Sequence, residues 1–345
     1  MSHELSFING LPEFAYLAGT PVWHGFGQPV PIDQRDNLDY WKQASNMGNW
    51  AISQAPALAW DVATESAIAF PQRKLLYRSD TKAPLADVGA NFNVVQPVQV
   101  IDFFDSLIRS MGFKMLSCGV LFGGRKFWAQ ADIGQSINLL GQERIEGKLL
   151  LGTSCDLSMK TRAQYTNTAV VCNNTLTAAI GSNKNYVELS HAGQFDADAI
   201  KEALGLNPVA FAEWGRLASK MGQQRLDVRL AEAFFDRVFN GPMPMVIPAD
   251  AVATPEQLEA LAAVEAERKS TAAIATCLEL FEGALIGKEL ECRQGTVWGA
   301  VNCITQFIDH ERKTKTMDAR IDRAWFGDGD KIKSEAWNEA IQLAA

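Results

Sequence analysis

Apolar residues recur along this chain in two periods. Across residues 114–171 they alternate with polar ones or run on in short blocks, as β-strands do. Beyond His191 they return every three or four residues, as in helices with one buried face. Before residue 90 neither period holds for long, because Pro12, Pro21, Pro29, Pro31, Pro56, Pro71 and Pro84 prevent extended helices. The pattern there predicts one short helix over 37–47, stopped by Gly48, and strands over 49–54 and 66–77. The interspersed Trp23, Trp41, Trp50, Trp60, Phe70 and Tyr77 are expected to cap a core built further along.

Residues 92–95 read as a short strand, and Pro97 opens a helix that runs to Met111 and closes at Gly112. Strands are predicted over 114–122 and 125–133, joined at Gly123-Gly124, since the favoured hairpin turns need positive φ. A third strand covers 148–155, the β pattern continues over 158–171, and Cys172-Asn173-Asn174 is expected to open a short helix ending at Gly181. Helices follow over 196–204, 208–221 and 225–239, and a further one starts at the capping box Thr254-Pro255-Glu256-Gln257. Residues 296–310 are apolar enough to pack back on the core, and 311–323 read as a solvated helix or turn. The predicted class is α+β: an antiparallel β-sheet core with a helical C-terminal half. Its regions are a loop- and strand-rich 1–90, a β-rich 91–195 and a helical 196–345.

Composition narrows the class without revealing a task. With 345 residues, 47% hydrophobic and 21% charged, the chain is an ordinary folded protein. No apolar run approaches the roughly 18 residues of a membrane span, and the first residues lack a secretory signal, so a cytoplasmic protein with no membrane partner is expected. The six cysteines never stand as C-x-x-C and are expected to be buried apolar groups, with no cofactor implied. A net charge of -8 excludes a uniformly basic nucleic-acid binder, although residues 109–184 carry nine Lys/Arg against four Asp/Glu, a basic island of +5.

Four stretches together carry a resemblance. Pro21-Val22-Trp23-His24-Gly25-Phe26-Gly27, Val170-Val171-Cys172-Asn173-Asn174-Thr175-Leu176, Leu189-Ser190-His191, and Thr296-Val297-Trp298 through Asn302, Asp309 and His310 resemble the phage/plasmid-like protein family, catalogued as domain of unknown function 932. The resemblance implies a mobile-element origin and no established reaction. The order of hairpin, further strand and helix also looks like the β-β-β-α core of single-strand annealing proteins, which would imply a homo-oligomer.

Three readings follow. In the first, the β-rich middle binds single-stranded nucleic acid in recombination, replication or counter-defence. Arg125, Lys126, Lys160 and Arg162 would then meet phosphates, Trp128 or Tyr165 would stack on bases, and Asn173 and Asn174 would fix the backbone. Ser154, Asp156, Ser158, Lys160, Arg162, Gln164 and Thr166 share one strand face in this reading; the plainer alternative is an ordinary solvated sheet surface. In the second, His24, His191, Asp309 and His310 converge from distant segments as a metal-assisted hydrolase or nuclease site, no pair having the i, i+4 spacing of a helical ligand pair. In the third, a non-catalytic module binds a host protein through the helical half. No nucleophile elbow or phosphate-binding glycine loop is present in the sequence.

Overall fold

The computed structural model describes residues 7–8, 11–19, 27–169, 172–175, 186–193, 195–204, 208–242 and 271–344. In chain order, β1 (Phe7–Ile8) and β2 (Leu11–Pro12) pair with each other, followed by β3 (Phe14–Leu17), β4 (Gln28–Val30) and α1 (Leu38–Ala44). A separate three-stranded antiparallel sheet comprises β5 (Ile52–Asp61), β6 (Ser66–Arg78) and β7 (Pro84–Gly89). Next come α2 (Pro97–Asp102) and α3 (Asp105–Met111), then β8 (Lys114–Leu121), β9 (Lys126–Leu139), β10 (Glu143–Ser154), β11 (Thr161–Ala169), β12 (Cys172–Thr175) and β13 (Tyr186–Leu189). The C-terminal half is α4 (Ala197–Leu204), α5 (Pro208–Gln223), α6 (Val228–Asn240), α7 (Thr271–Glu279), α8 (Val297–Gln306), α9 (Met317–Trp325) and α10 (Asp328–Ala344).

The large sheet has the order β12-β11-β10-β9-β8-β3-β4, with β13 sharing the β11 edge; only β3 and β4 run parallel. Both of its faces carry a packed core over the middle of the sheet. One face packs on Trp41, Trp50, Val100, Ile101 and Phe104 from the N-terminal layer, through Phe127, Ala129, Leu149, Leu151 and Ala163. The other packs on Trp214, Trp298, Ile304, Trp325 and Trp337 from the helical half, through Trp128 and Leu150. The α+β class and the C-terminal placement of the helices agree with the sequence reading. Among the described residues, no helix is long and apolar enough to cross a membrane.

Local chemistry explains most elements. Asn37, Asp227, Thr296 and Thr316 each accept a bond from the backbone N–H three residues on, starting α1, α6, α8 and α9. Gly112 ends α3 in the left-handed region at φ 69°, and Gly123 holds the β8–β9 turn at φ 67°. Five cysteines are buried free thiols, and burial pushes those of Cys118 and Cys155 up to about 12.

Four expectations are corrected. Residues 92–95 form no strand, since the Asn93 N–H bonds the His191 carbonyl at 2.8 Å and leaves no ladder. The helix after Pro97 breaks at Phe103 and Phe104, two buried rings packed edge to face, giving α2 and α3. Between β10 and β11 the chain reverses through a turn that Asp156 closes by accepting from the Ser158 N–H, so the strands over 148–171 double back. Cys172-Asn173-Asn174-Thr175 is not a helix start but strand β12, with Asn173 opposite Thr168 and Asn174 opposite Asn167. The Thr254 capping box and Gly181 lie outside the described residues.

Candidate functional site

The polar strand face exists, and it faces protein. Trp128, Gly152 and Arg162 form one row across β9, β10 and β11, flanked by Lys126 with Ser154 on one side and by Gln130, Leu150 and Gln164 on the other. Above this row lie α9 and the start of α10. The Asp322 carboxylate holds the Lys126 ammonium at 2.5 Å, and Asp330 holds the Arg162 guanidinium at 2.6 Å. One turn before Asp322, Asp318 accepts from the Phe122 N–H at 2.6 Å and so fixes the β8–β9 turn. The Trp325 carbonyl accepts from Gln164 at 3.1 Å, and the Trp325 ring meets Trp128 edge to face at 4.6 Å. Gly152 is the gap through which Phe326 approaches: a Cβ there would stand 2.5 Å from its ring.

This placement corrects the proposed phosphate face. Lys126, Trp128 and Arg162 are buried, and the Arg162 guanidinium also stacks 3.7 Å over the Tyr186 ring. Tyr165 points to the opposite side of the sheet from Trp128, opposite Leu149, and burial pushes its hydroxyl up, so the two rings cannot form one stacking platform. Arg125 is exposed and donates to the Phe122 carbonyl, while Lys160 is exposed 3.6 Å from Glu188. Burial pushes the Lys148 pKa down from its usual value, against the pull of Glu146 and Asp132. Asn173 and Asn174 lie in β12, a strand set against α8 and α10. The physical reason is charge pairing within the chain: carboxylates of α9 and α10 hold Lys126 and Arg162, while Arg109, Arg144 and Lys160 lie beside Asp105, Glu146 and Glu188.

The histidine reading separates in space. His191 stacks on Phe92 at 4.6 Å and lies 3.3 Å from the Asn93 carbonyl, in the N-terminal layer. Asp309 lies in the wider helical turn that follows α8, buried, with Oδ1 2.9 Å from the Lys333 ammonium, and Arg320 donates to the carbonyls of both Asp309 and His310. Among the described residues, no group of three or more His, Cys, Asp or Glu could hold a metal ion; His24 lies outside them. Burial lowers the His191 pKa from 6.5, outweighing hydrogen bonds to the Asn93 and Met159 backbones. A folded-state pKa below the unfolded one means that acid protonates the unfolded chain first. Stability therefore holds above 6.5 and falls as pH drops through that value towards the lower folded one. Thermal unfolding of wild type and His191→Gln between about pH 7.5 and 5 should show a steeper acid loss in the wild type.

A second feature is open to solvent. β5 and β6 run past the end of β7, and residues 57–70 project as a two-stranded arm. Leu58, Trp60, Val62, Ile68 and Phe70 are 55%, 66%, 81%, 49% and 49% exposed on it, against the expectation that Trp60 and Phe70 cap the core. Only Asp61 and Glu65 carry charge in this segment. At its base, where β6 bulges between Lys74 and Phe70, an open notch of about 370 Å³ is lined in part by Pro56, Phe70, Pro71, Arg73 and Lys74. Its cations are engaged, Arg73 with Asp87 at 2.8 Å and Lys74 with the Phe92 carbonyl at 2.6 Å.

A family model described as domain of unknown function (DUF932) matches residues 84–325, most of the chain. The chain belongs to this family. No curated protein and no solved structure matches it. The matched DUF932 span contains strands β8 to β13 of the large sheet, α9 and the Lys126–Asp322 pair, whereas β3, β4 and the arm precede it. Sequence reasoning about this DUF932 chain missed Asp330, Lys333 and the whole of α10. A signal was present, because Ile332, Ala336, Trp337 and Ala340 recur at helical spacing. It also missed the arm, for which the signal is an apolar stretch over 57–70 with almost no charge to keep it in water.

Proposed function

We propose that this protein is a non-catalytic interaction protein whose working surface is the β5–β6 arm. The observation that carries the reading is five large apolar side chains exposed on an arm that projects beyond β7, four on β5 and β6 and Val62 in the turn between them. An isolated two-stranded hairpin is marginal in water, and a contiguous exposed apolar patch on a folded protein marks a contact site. The helical half supports docking less well, because its apolar faces form the core with the sheet and, among the described residues, its exposed large apolar side chains are Val228, Leu230 and Leu343. The nucleic-acid reading is supported less well, because Lys126, Trp128 and Arg162, on which it leans, are buried against α9 and α10.

Photo-crosslinking tests the reading. A photoreactive residue at Val62 should yield covalent protein adducts in cells, and the same residue at Leu343 should yield few. Adducts at Leu343 but not at Val62 would overturn it. Gel filtration with a labelled single-stranded oligonucleotide should show no co-elution, and salt-sensitive co-elution would favour the nucleic-acid reading instead.

A further inference from the structure

We infer that this protein has a second contact surface, separate from the arm: the outward side of α9 and the loop leading into it bind the carboxylates of an acidic protein segment. Charge is segregated across this helix. Residues 313–323 hold Lys313, Lys315, Arg320 and Arg323 against Asp318 and Asp322. Both carboxylates turn inward, Asp318 to the Phe122 N–H and Asp322 to the Lys126 ammonium. The cations are left outside. Lys313, Lys315 and Arg323 are exposed, Arg320 is half-buried, and among the described residues none of the four forms an ion pair.

Arg320 gives this surface a fixed point. Its Nη1 donates to the Asp309 carbonyl at 3.0 Å and to the His310 carbonyl at 2.8 Å, which orients the guanidinium. The other edge, Nε with Nη2, makes no hydrogen bond and is not buried. That edge is a fork that receives a carboxylate through two parallel bonds, and a guanidinium already held in place loses little freedom on doing so. The chain leaves Arg320 at His310 and returns at Thr316, one turn before it, so the loop carrying Lys313 and Lys315 starts and ends beside it. Arg323 follows three residues on, along the same side of α9. The neighbouring carboxylates already have partners: Asp309 has Lys333 at 2.9 Å, Glu311 the Gln306 amide at 3.3 Å and Asp328 Arg312 at 2.7 Å.

An acidic protein segment suits this surface better than a nucleic acid does. The one aromatic ring of α9, Trp325, is buried against Trp128, so no ring of this helix faces outward to stack on a base. A chain of net charge -8 also repels an extended polyanion more than a short acidic stretch.

Fluorescence anisotropy of a fluorescein-labelled hexaglutamate peptide, titrated with the full chain at low salt, tests this. Saturable binding is expected, and it should weaken as salt rises. Arg320→Gln should lower the affinity about tenfold, and Arg320→Lys should recover little, because an ammonium lacks the fork. Since Arg320 also ties down two carbonyls, Lys313→Gln combined with Lys315→Gln provides a second variant on exposed side chains. It should weaken binding about threefold with an unchanged unfolding midpoint. Arg216→Gln, which removes an exposed cation already paired with Glu213, should bind like wild type. No saturable binding by the wild type, or binding that both sets of variants leave unchanged, would overturn the inference. So would tighter binding of a labelled hexathymidylate, which would assign the surface to a nucleic-acid backbone. Crosslinking from Val62 reads the arm alone and is independent of these outcomes.

Discussion

Asp330→Ala is expected to lower the unfolding free energy by about 3–5 kcal/mol, because it leaves the Arg162 charge inside without its carboxylate. The pair is closed off from water, with 11% and 4% of the two side chains exposed, and it fastens the start of α10 to β11. Exposed pairs behave differently, with a typical worth of at most about 1 kcal/mol. Denaturant titration separates the two cases. Replacing both partners with apolar residues, as in Arg162→Met with Asp330→Leu, should recover most of the loss, since neither charge is then stranded. A cost for Asp330→Ala within the surface range would mean that Arg162 reaches solvent and that the strand face is open.

A comparable loss is expected for Arg293→Ala. The Glu143 carboxylate is buried at the start of β10 and receives the Arg293 Nε at 3.0 Å, the Arg293 Nη2 and the Trp298 Nε1 at 3.0 Å. The same guanidinium donates to the Ile286 carbonyl at 2.6 Å, so one side chain ties β10 to the segment before α8. Removing it strands a carboxylate and opens a cavity beside Trp298, for a cost of about 3–5 kcal/mol. Arg293→Lys should restore little, because an ammonium cannot reproduce the two-pronged fork. The check is the unfolding midpoint in guanidinium chloride, and a lysine variant as stable as wild type would count against the geometry.

The sequence disclosed local elements better than their neighbours. Periodicity, caps and the Gly123-Gly124 turn are written in adjacent residues, so α1, α4, α5, α6 and the β8–β9 hairpin could be read directly. The polar alternation through Ser154, Arg162, Gln164 and Thr166 was also legible, and these residues do share one face. What that face meets was not, because burial depends on Asp322, Trp325 and Asp330, more than 150 positions further on. A basic island of +5 in a chain of -8 is equally consistent with an external polyanion and with carboxylates of the same chain. Charge arithmetic alone does not choose between them. The arm was hidden for the converse reason. The apolar, nearly uncharged stretch over 57–70 fits a buried hairpin as well as an exposed one, and the exposure of Trp60 and Phe70 follows from β7 ending at Gly89.

Amide hydrogen exchange by mass spectrometry, with and without a single-stranded oligonucleotide, tests the account most directly. The expected result is unchanged exchange in β10 and β11 on adding the oligonucleotide, with residues 57–70 exchanging faster than either strand in both samples. Slower exchange in β10 and β11 on adding the oligonucleotide would contradict the closed strand face, and residues 57–70 protected as strongly as β10 and β11 would contradict the open arm.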